Sequence, residues 1–388
     1  MVNFEFYATV QQIVGPLRKV LITFVPNSIN NISLNHKFKN AVALSLVPQI
    51  FMVAWLGSNP DVVENYYSQG FYPLISKFFR FLFGWIPFSF GDIIYTLLLA
   101  IAIAYLFKNW KTISGKPLWF LRDVVMVLSV FYFTFNMVWG LNYYRQPISE
   151  KFGIRDSVQT HEVIELTAKL IQKVNRLQKE ITGDSVQMVK VPYSRNEIFD
   201  KTIDEYDKTQ GQLPFLTYER PSLKKSVYST LSCYLGIGGY LNPFTNEAQV
   251  NGLTPVFRFP VVSAHEVGHQ VGYSKENETN FIGYLMTSKN NDIYFQYSAA
   301  AYALSHCLSA VRRYNENLFQ EMYSDINFGV QENYRELYEF NQKYINPFEP
   351  IFKSIFNTFL KANQQKDGIE SYSKIVELMV GYHEINPL

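Results

Sequence analysis

Residues Val261–Phe281 read VVSAHEVGHQVGYSKENETNF and contain the pattern His-Glu-x-x-His at positions 265–269. Residues four apart lie on one face of an α-helix, so the imidazoles of His265 and His269 can bind one metal ion while the carboxylate of Glu266 points to the same spot. This arrangement is typical of zinc hydrolases. Small and apolar residues surround the pattern, which indicates a buried helix that turns its polar groups inward. The pattern therefore predicts a zinc site, with a hydrogen-bonded pair of core histidines as the alternative.

A hydrolytic zinc site needs a third protein ligand and an open fourth position. Gly272 can end the first helix in the left-handed conformation and let the chain turn back, and Glu276 and Glu278 then follow on the next helix. Residues two apart on a helix point in different directions, so only one of the two acids can face the metal. We predict Glu276, with Glu278 as the alternate, because Asn280 follows Glu276 one turn later and could hydrogen-bond a metal-bound histidine. The alternative for either acid is a solvated carboxylate at the start of a helix.

The segment Glu276–Asn280 resembles the E-x-E-A-D element of membrane-embedded zinc peptidases of the gluzincin type, in which the first Glu binds zinc. Here Asn280 stands in the place of the usual Asp, and the spacing from the histidine motif is shorter. From about Val42 onward the chain is also similar to an uncharacterised bacterial family, domain of unknown function 3810. The matching residues are Gly239–Phe244, Glu247–Asn251, His265–Gly272 and Glu276–Phe281. The resemblance implies a membrane-tethered, metallopeptidase-like protein and does not name a substrate.

Three long apolar stretches lie in the first third of the chain. Each is close to the length that crosses a hydrocarbon core of about 30 Å. Tryptophan and tyrosine residues flank them, as is typical of membrane interfaces. We therefore predict three transmembrane helices at about 41–57, 88–107 and 124–141, with buried helices of a soluble domain as the alternative.

Basic residues near the ends of these stretches predict the orientation of the chain. Four precede the first stretch and four lie between the second and third, whereas only Lys77 and Arg80 lie between the first and second. The positive-inside rule then places residues 1–40 in the cytoplasm and residues 142–388 outside it, with the chain anchored in a bacterial inner or cytoplasmic membrane. No cleavable signal peptide is visible. The segment Tyr66–Phe83 interleaves aromatic residues with Lys77 and Arg80, which predicts a helix lying in the membrane interface.

The predicted fold is mainly α: a cytoplasmic segment (1–40), a membrane domain (41–141) and a mostly helical, zincin-like domain with a small β-element (142–388). Apolar periodicity predicts helices over 161–182 and 196–208. Alternation predicts short strands at 248–250 and 256–259. We expect Glu247–Phe259 to be an edge strand that binds substrate as an added strand, with Glu247, Val250 and Asn251 as its contacts; an ordinary structural hairpin is the alternative. The apolar segment 297–311 is expected to be a core helix, because it is short for a membrane span.

The expected reaction is zinc-dependent hydrolysis. His265, His269 and Glu276 would hold Zn²⁺, and Glu266 would act as the general base. The candidate hydrogen-bond donors to the oxyanion are Tyr294, Tyr297 and Tyr372. The alternative for each tyrosine is that it only packs in the fold. Cys233 and Cys307 are expected to be free core residues, with a disulfide as the alternative.

Two functions fit these features. The first is a membrane-anchored zinc peptidase that acts on extracytoplasmic protein or peptide; the second is a non-catalytic membrane protein that binds partners and has a structural or vestigial zinc site. Glu266 favours the first, because a structural zinc site needs four closed ligands and no additional carboxylate. The net charge is only +2 and the basic residues cluster near the apolar stretches, so we expect no nucleic-acid partner. The oligomeric state does not follow from the sequence.

Overall fold

The computed structural model describes residues 35–155, 157–363 and 374–388, and this part of the chain is mainly helical, as predicted. Most of the predicted cytoplasmic segment and the candidate Tyr372 lie outside the described residues. The helices are α1 (His36–Leu44), α2 (Leu46–Gly57), α3 (Pro60–Val62), α4 (Tyr72–Phe83), α5 (Phe90–Gly115), α6 (Pro117–Val138), α7 (Ile148–Phe152), α8 (Thr160–Thr182), α9 (Arg195–Thr209), α10 (Ser229–Leu235), α11 (Phe259–Gln270), α12 (Glu276–Lys289), α13 (Ile293–Tyr314), α14 (Glu316–Ser324), α15 (Phe328–Gln342), α16 (Glu349–Ala362) and α17 (Ile375–Ile385). A π-helix covers Val63–Phe71, and 3₁₀ turns cover Gly140–Tyr144, Pro214–Leu216 and Val256–Arg258.

Three helical stretches in the described part of the chain are long and apolar enough to cross a membrane: His36–Gly57, Phe90–Gly115 and Pro117–Val138. This confirms the prediction of three apolar helices near the amino terminus and indicates a membrane protein. Their ends differ from the predicted ones for local reasons. The side chain of Asn35 caps the first stretch by accepting a hydrogen bond from the amide of Lys37, and the third ends at Val138 because Trp139 leaves the helical conformation.

Two compact units form in the described chain. One comprises residues 35–55 and 90–137, and the other comprises residues 56–89 and 138–388. The predicted domain boundaries stay predictions, but the segment 56–89, which the sequence places between two apolar helices, packs with the downstream unit. Its helix α4 falls within the segment that we expected to lie in the membrane interface.

The helices of the second unit surround α11, which carries the histidine motif. The predicted helices at 161–182 and 196–208 are α8 and α9, and the apolar positions of α8, such as Leu170 and Val174, are fully buried. α9 begins with a capping box, in which Ser194 and Glu197 exchange hydrogen bonds between side chain and backbone. The apolar segment 297–311 lies in α13, which belongs to the same core. Both cysteines are buried and free.

A three-stranded sheet lies upstream of α11, with strands β1 (Leu223–Lys225), β2 (Gly239–Asn242) and β3 (Glu247–Val250). β3 is central: it pairs in parallel with β1 and antiparallel with β2. The prediction that this segment forms an edge strand was therefore wrong, because both of its sides are occupied. The strand predicted at 256–259 was also wrong, because these residues form a 3₁₀ turn and the first residue of α11.

Candidate metal centre

Helices α11 and α12 form the candidate metal centre because the chain reverses sharply between them. α11 ends at Gln270, and Gly272 has φ of 95°, the left-handed conformation that glycine adopts without strain. The amide of Tyr273 donates to the carbonyl of Gly268 at 3.1 Å across this turn. The two helices then cross closely: a Cβ added at Gly283 would lie 2.9 Å from the carbonyl oxygen of Val261. This close crossing brings the first turn of α12 beside the histidines.

The carboxylate of Glu276 contacts both histidines of the motif. One oxygen lies 3.5 Å from Nε2 of His265, and the other lies 3.7 Å from Nε2 of His269. Glu266 lies on the same side, with Oε1 4.0 Å from Nε2 of His265. His265, Glu266 and His269 each offer one ligand atom within 4.8 Å of the others. The structure thus brings together the residues that we predicted to be the ligands and the base.

Glu278, the alternate ligand, is engaged elsewhere. Its Oε1 accepts the amide of Ile148 at 3.1 Å and lies 3.8 Å from Nζ of Lys275. The turn of about 200° between Glu276 and Glu278 on α12 explains the difference, because it directs the second carboxylate away from the histidines. The geometry therefore favours Glu276 over Glu278 as the third ligand.

Each histidine has a partner that holds its ring. Nδ1 of His269 lies 2.8 Å from the carbonyl oxygen of Tyr273, so the ring donates there and Nε2 is left as the free lone pair. Asn280 is a neighbour of His265, and its side chain opposes the lowering of the histidine pKa by burial. The Oδ1 atom of Asn280 also accepts the hydroxyl of Tyr302 at 2.6 Å. The role of Asn280 in supporting a metal ligand stays a prediction.

Burial controls the charges of the centre. It lowers the pKa of His265 well below its usual range, with a further contribution from the neighbouring His269. Burial also lowers the pKa of His269 to about 4. The pKa of Glu266 is raised well above its usual range, first by burial and then by the charge of Glu276. Without a cation, the centre therefore contains neutral imidazoles, which are the form that binds metal.

Several contacts at the carboxyl end of α11 could not be predicted from spacing. The carbonyl of His269 accepts a hydrogen bond from Nε1 of Trp139 at 3.3 Å, and the carbonyl of Gln270 accepts one from the hydroxyl of Tyr72 at 2.9 Å. Arg80 also donates to the carbonyl of Gln270, at 3.3 Å. These donors satisfy the last carbonyls of the helix. The sequence signal for these contacts was Arg80, which with Lys77 is one of two charges in a largely aromatic and apolar segment.

The residues proposed for substrate contact and for the oxyanion have other partners among the described residues. Glu247 forms a buried ion pair with Lys224 at 2.5 Å, Val250 packs in a small core, and Asn251 donates to the carbonyl of Ile237. The hydroxyl of Tyr297 is engaged by Asn333 at 2.7 Å, and Tyr294 packs against Tyr193. The tyrosines that the structure relates to the centre are instead Tyr302, through Asn280, and Tyr143, whose pKa is raised by burial and by the charge of Glu276.

Glycine 239, at the start of β2, lies directly against Glu266. A Cβ at this position would lie 2.4 Å from Oε1 of Glu266. Only glycine lets the strand approach the carboxylate so closely. The edge strand beside the centre is therefore β2 and not β3.

The donor set fits a zinc ion. Ligand atoms at about 2.0–2.1 Å from a tetrahedral zinc lie about 3.4 Å apart, close to the two distances from Glu276 to the histidines. Oε2 of Glu266 is buried and has no hydrogen-bond partner among the described residues, as expected for a group that meets a water at the open position. Two histidines and one carboxylate form a ligand set of catalytic zinc sites.

A comparison with known families extends over this whole region. The family model described as protein of unknown function (DUF3810) matches residues 67–380, which include the metal centre, the sheet and α4. Neither the curated proteins nor the solved structures gave a match.

Proposed function

We propose that this chain, which belongs to the family of proteins of unknown function DUF3810, is a membrane-anchored zinc-dependent peptidase with a zincin-like domain of the gluzincin type. One observation carries the proposal: Glu276 reaches both histidines with separate oxygens, and Glu266 lies beside them without being needed as a ligand. Three ligands and one adjacent carboxylate are the parts of a hydrolytic zinc site.

The residues have distinct roles in this proposal. His265, His269 and Glu276 would hold zinc, which when bound would supply a Lewis acid for the activation of a water and of the scissile carbonyl. Glu266 takes the proton of the attacking water and passes it to the leaving amine. Its raised pKa in the metal-free protein suits the second step, since a buried carboxyl retains a proton readily.

The substrate would bind along β2. Asn251 and Gly238 lie opposite each other and share a hydrogen bond of 2.8 Å, so the alternation of an antiparallel pair turns the backbone groups of Tyr240 towards β3. The backbone groups of Gly239 and Leu241 then face the outer edge. A peptide added there would run past Glu266, and recognition would depend on its backbone.

The orientation is part of the proposal. By the positive-inside rule, the basic residues near the apolar helices favour the extracytoplasmic side of a bacterial inner or cytoplasmic membrane for the second unit. Its substrates would then be extracytoplasmic proteins or peptides.

The competing proposal is a non-catalytic protein that binds partners and uses zinc to brace its fold. The burial of the centre favours it, since Glu266 is 2% exposed and His269 is 6% exposed. A closed structural site would require a fourth protein ligand, and Glu266 would have to supply it. The two proposals therefore assign opposite roles to the same carboxylate.

Four forms of the full-length protein separate these proposals: wild type, Glu266→Gln, Glu276→Gln and, as a matched control, Glu278→Gln. Each is purified, loaded with zinc and assayed for metal content and for cleavage of an unfolded protein. We expect Glu266→Gln to retain zinc and lose about 10²- to 10⁴-fold in activity, as for the loss of a general base. Glu276→Gln should lose zinc, and Glu278→Gln should keep both properties. A Glu266→Gln protein with full activity would refute the proposal of a zinc peptidase. A Glu266→Gln protein that loses its zinc would favour the proposal of a structural zinc site.

A further inference from the structure

Helix α4 has two faces of opposite character. Tyr72, Ser76 and Arg80 recur every four residues on one face and are buried against the polypeptide that ends α11. The other face carries large apolar side chains that are more than half exposed, namely Leu74, Phe78 and Phe81. A helix that buries its polar groups and exposes its apolar ones is the reverse of a helix on a water-facing surface.

The exposed apolar surface continues on both sides of α4. Tyr66 precedes it and Trp85 follows it, at 76% and 78% exposure. The whole segment lies between Gly57, where the first apolar helix ends, and Phe90, where the second begins. Both of its ends are therefore tied to helices that are apolar enough to cross a membrane.

Helix α16 repeats this character in a distant part of the sequence. Ile351, Phe352 and Ile355 are exposed along one side, whereas Leu360 is fully buried. Its Phe359 ring makes an edge-to-face contact with Tyr143, which follows the end of the third apolar helix at Val138. α16 is thus held beside the point where the chain leaves that helix.

The end of the first apolar helix also contacts the 3₁₀ turn Gly140–Tyr144, which follows the third apolar helix. A Cβ at Gly57 would lie 2.5 Å from the ring of Tyr144, so the glycine packs directly on the tyrosine. The segment that leads to α4 therefore starts beside the same turn whose Tyr143 contacts α16. This places both amphipathic helices near one membrane boundary.

We propose that α4 and α16 lie in the interfacial layer of a lipid bilayer, with the side chains of Leu74, Phe78 and Ile355 among the acyl chains. The bilayer is the occupant that the apolar helices at both ends of the α4 segment bring within reach, and interfacial tyrosine and tryptophan suit it. Because the buried face of α4 donates to the carbonyl of Gln270, the end of the metal-centre helix lies about one helix diameter, roughly 10 Å, from the lipid. This seat in the membrane does not require the metal centre to be catalytic.

Spin labels test the proposal in the full-length protein reconstituted into vesicles of phosphatidylcholine and phosphatidylglycerol. Single cysteines replace Leu74, Phe78 or Ile355, and matched controls replace Val186, between α8 and α9, and Phe328, at the start of α15, which are similarly exposed. The native cysteines are buried, so unlabelled parent protein treated in parallel measures their background. Power saturation with oxygen and with a water-soluble nickel chelate then gives the depth of each label.

We expect the first three labels to be accessible to oxygen, protected from nickel and immersed by about 5–10 Å, while both controls remain accessible to nickel. Nickel accessibility at the three positions would overturn the proposal by showing an exposed surface. Protection from both reagents would also overturn it, because a second copy or another protein would then cover the face.

A second measurement needs no introduced cysteine. Lipids brominated on their acyl chains should quench the fluorescence of Trp85, seen as the difference between wild type and Trp85→Phe. Absence of this quenching would contradict the proposed position of α4 in the interfacial layer of the bilayer. None of these measurements depends on zinc or on proteolysis, so they succeed or fail separately from the proposed activity.

Discussion

Two buried carboxylates in the second unit differ in what neutralises them. Glu64 and Glu266 are 1% and 2% exposed. Glu64 accepts two hydrogen bonds from Arg145, at 3.0 and 2.9 Å, and lies 2.9 Å from Nζ of Lys151. Glu266 forms no ion pair with a lysine or arginine of the described chain, and its charged neighbour is Glu276.

The two pKa values follow from these surroundings. Burial alone would raise the pKa of Glu64, but hydrogen bonds and charge from Arg145, with help from Gln69 and Lys151, lower it to about 2. At Glu266 burial and the charge of Glu276 both raise the pKa. The cluster around Glu64 carries its own cations and is complete when the chain folds, whereas the cluster around Glu266 gains a balancing charge only from outside.

The largest effect that we expect comes from removing one charge of the complete cluster. Glu64→Gln leaves Arg145 buried without its carboxylate and should lower the free energy of unfolding by about 3–5 kcal/mol. Glu266→Gln in the metal-free protein should change it by less than about 1 kcal/mol, because it breaks no ion pair with a lysine or arginine of the described chain. Denaturant unfolding in detergent micelles measures both.

The control for this pair is the double variant Glu64→Gln/Arg145→Met, which removes both charges and should recover part of the lost stability. Equal destabilisation by Glu64→Gln and Glu266→Gln would contradict the proposed difference between the surroundings of the two carboxylates.

Acid should affect the Glu64 cluster in a defined window. The pKa of this carboxyl is about 2 in the folded protein and 4.5 in the ordinary reference state, so the unfolded chain takes up the proton first. Its contribution is complete above about pH 4.5 and is lost as the pH falls towards 2, on the order of 3 kcal/mol in total. Unfolding free energies of wild type and Glu64→Gln should therefore converge over this range. Parallel curves would mean that the cluster does not control the acid response.

The parts of this comparison that could be predicted from sequence are local ones. Rules for helix spacing and helix ends within one short stretch predict three features: the spacing of His265 and His269, the turn at Gly272 and the position of Glu276. The three apolar helices follow from length and composition. The cluster of Glu64 with Arg145 was not predicted, because no local spacing relates residues so far apart in the chain.

The errors in the sheet have a similar physical origin. Alternation identified Glu247–Val250 as a strand, but β1, which occupies its second side, has only three residues and no distinctive pattern. The segment 256–259 alternates in the same way, yet Pro260 in the first turn of α11 favours a helix start over a strand. Alternation describes two faces of a strand and does not say which edges are paired.

Substitutions of Asn280 should have a smaller effect, and this effect should be on zinc affinity. Asn280→Ala removes the side chain that we predict to support His265 and should lower zinc affinity by about 10- to 100-fold, as for other residues that hold a ligand. Asn280→Asp keeps the acceptor for Tyr302 and should retain or improve affinity. Competition with a zinc chelator measures both variants. If Asn280→Ala binds zinc as tightly as wild type, Asn280 does not support a metal ligand.

The smallest expected effect concerns the strand beside Glu266. Leu241→Pro removes an amide that faces the outer edge of β2, so the ladder with β3 is kept while one hydrogen bond to a bound peptide is lost. A bond of this kind contributes about 1 kcal/mol, so KM should rise about fivefold with zinc content unchanged. Tyr240→Pro is the matched variant, since its amide faces β3 and its loss should lower stability instead. If Leu241→Pro leaves KM unchanged, substrate does not bind along β2. Substrate would then have to approach Glu266 from another side.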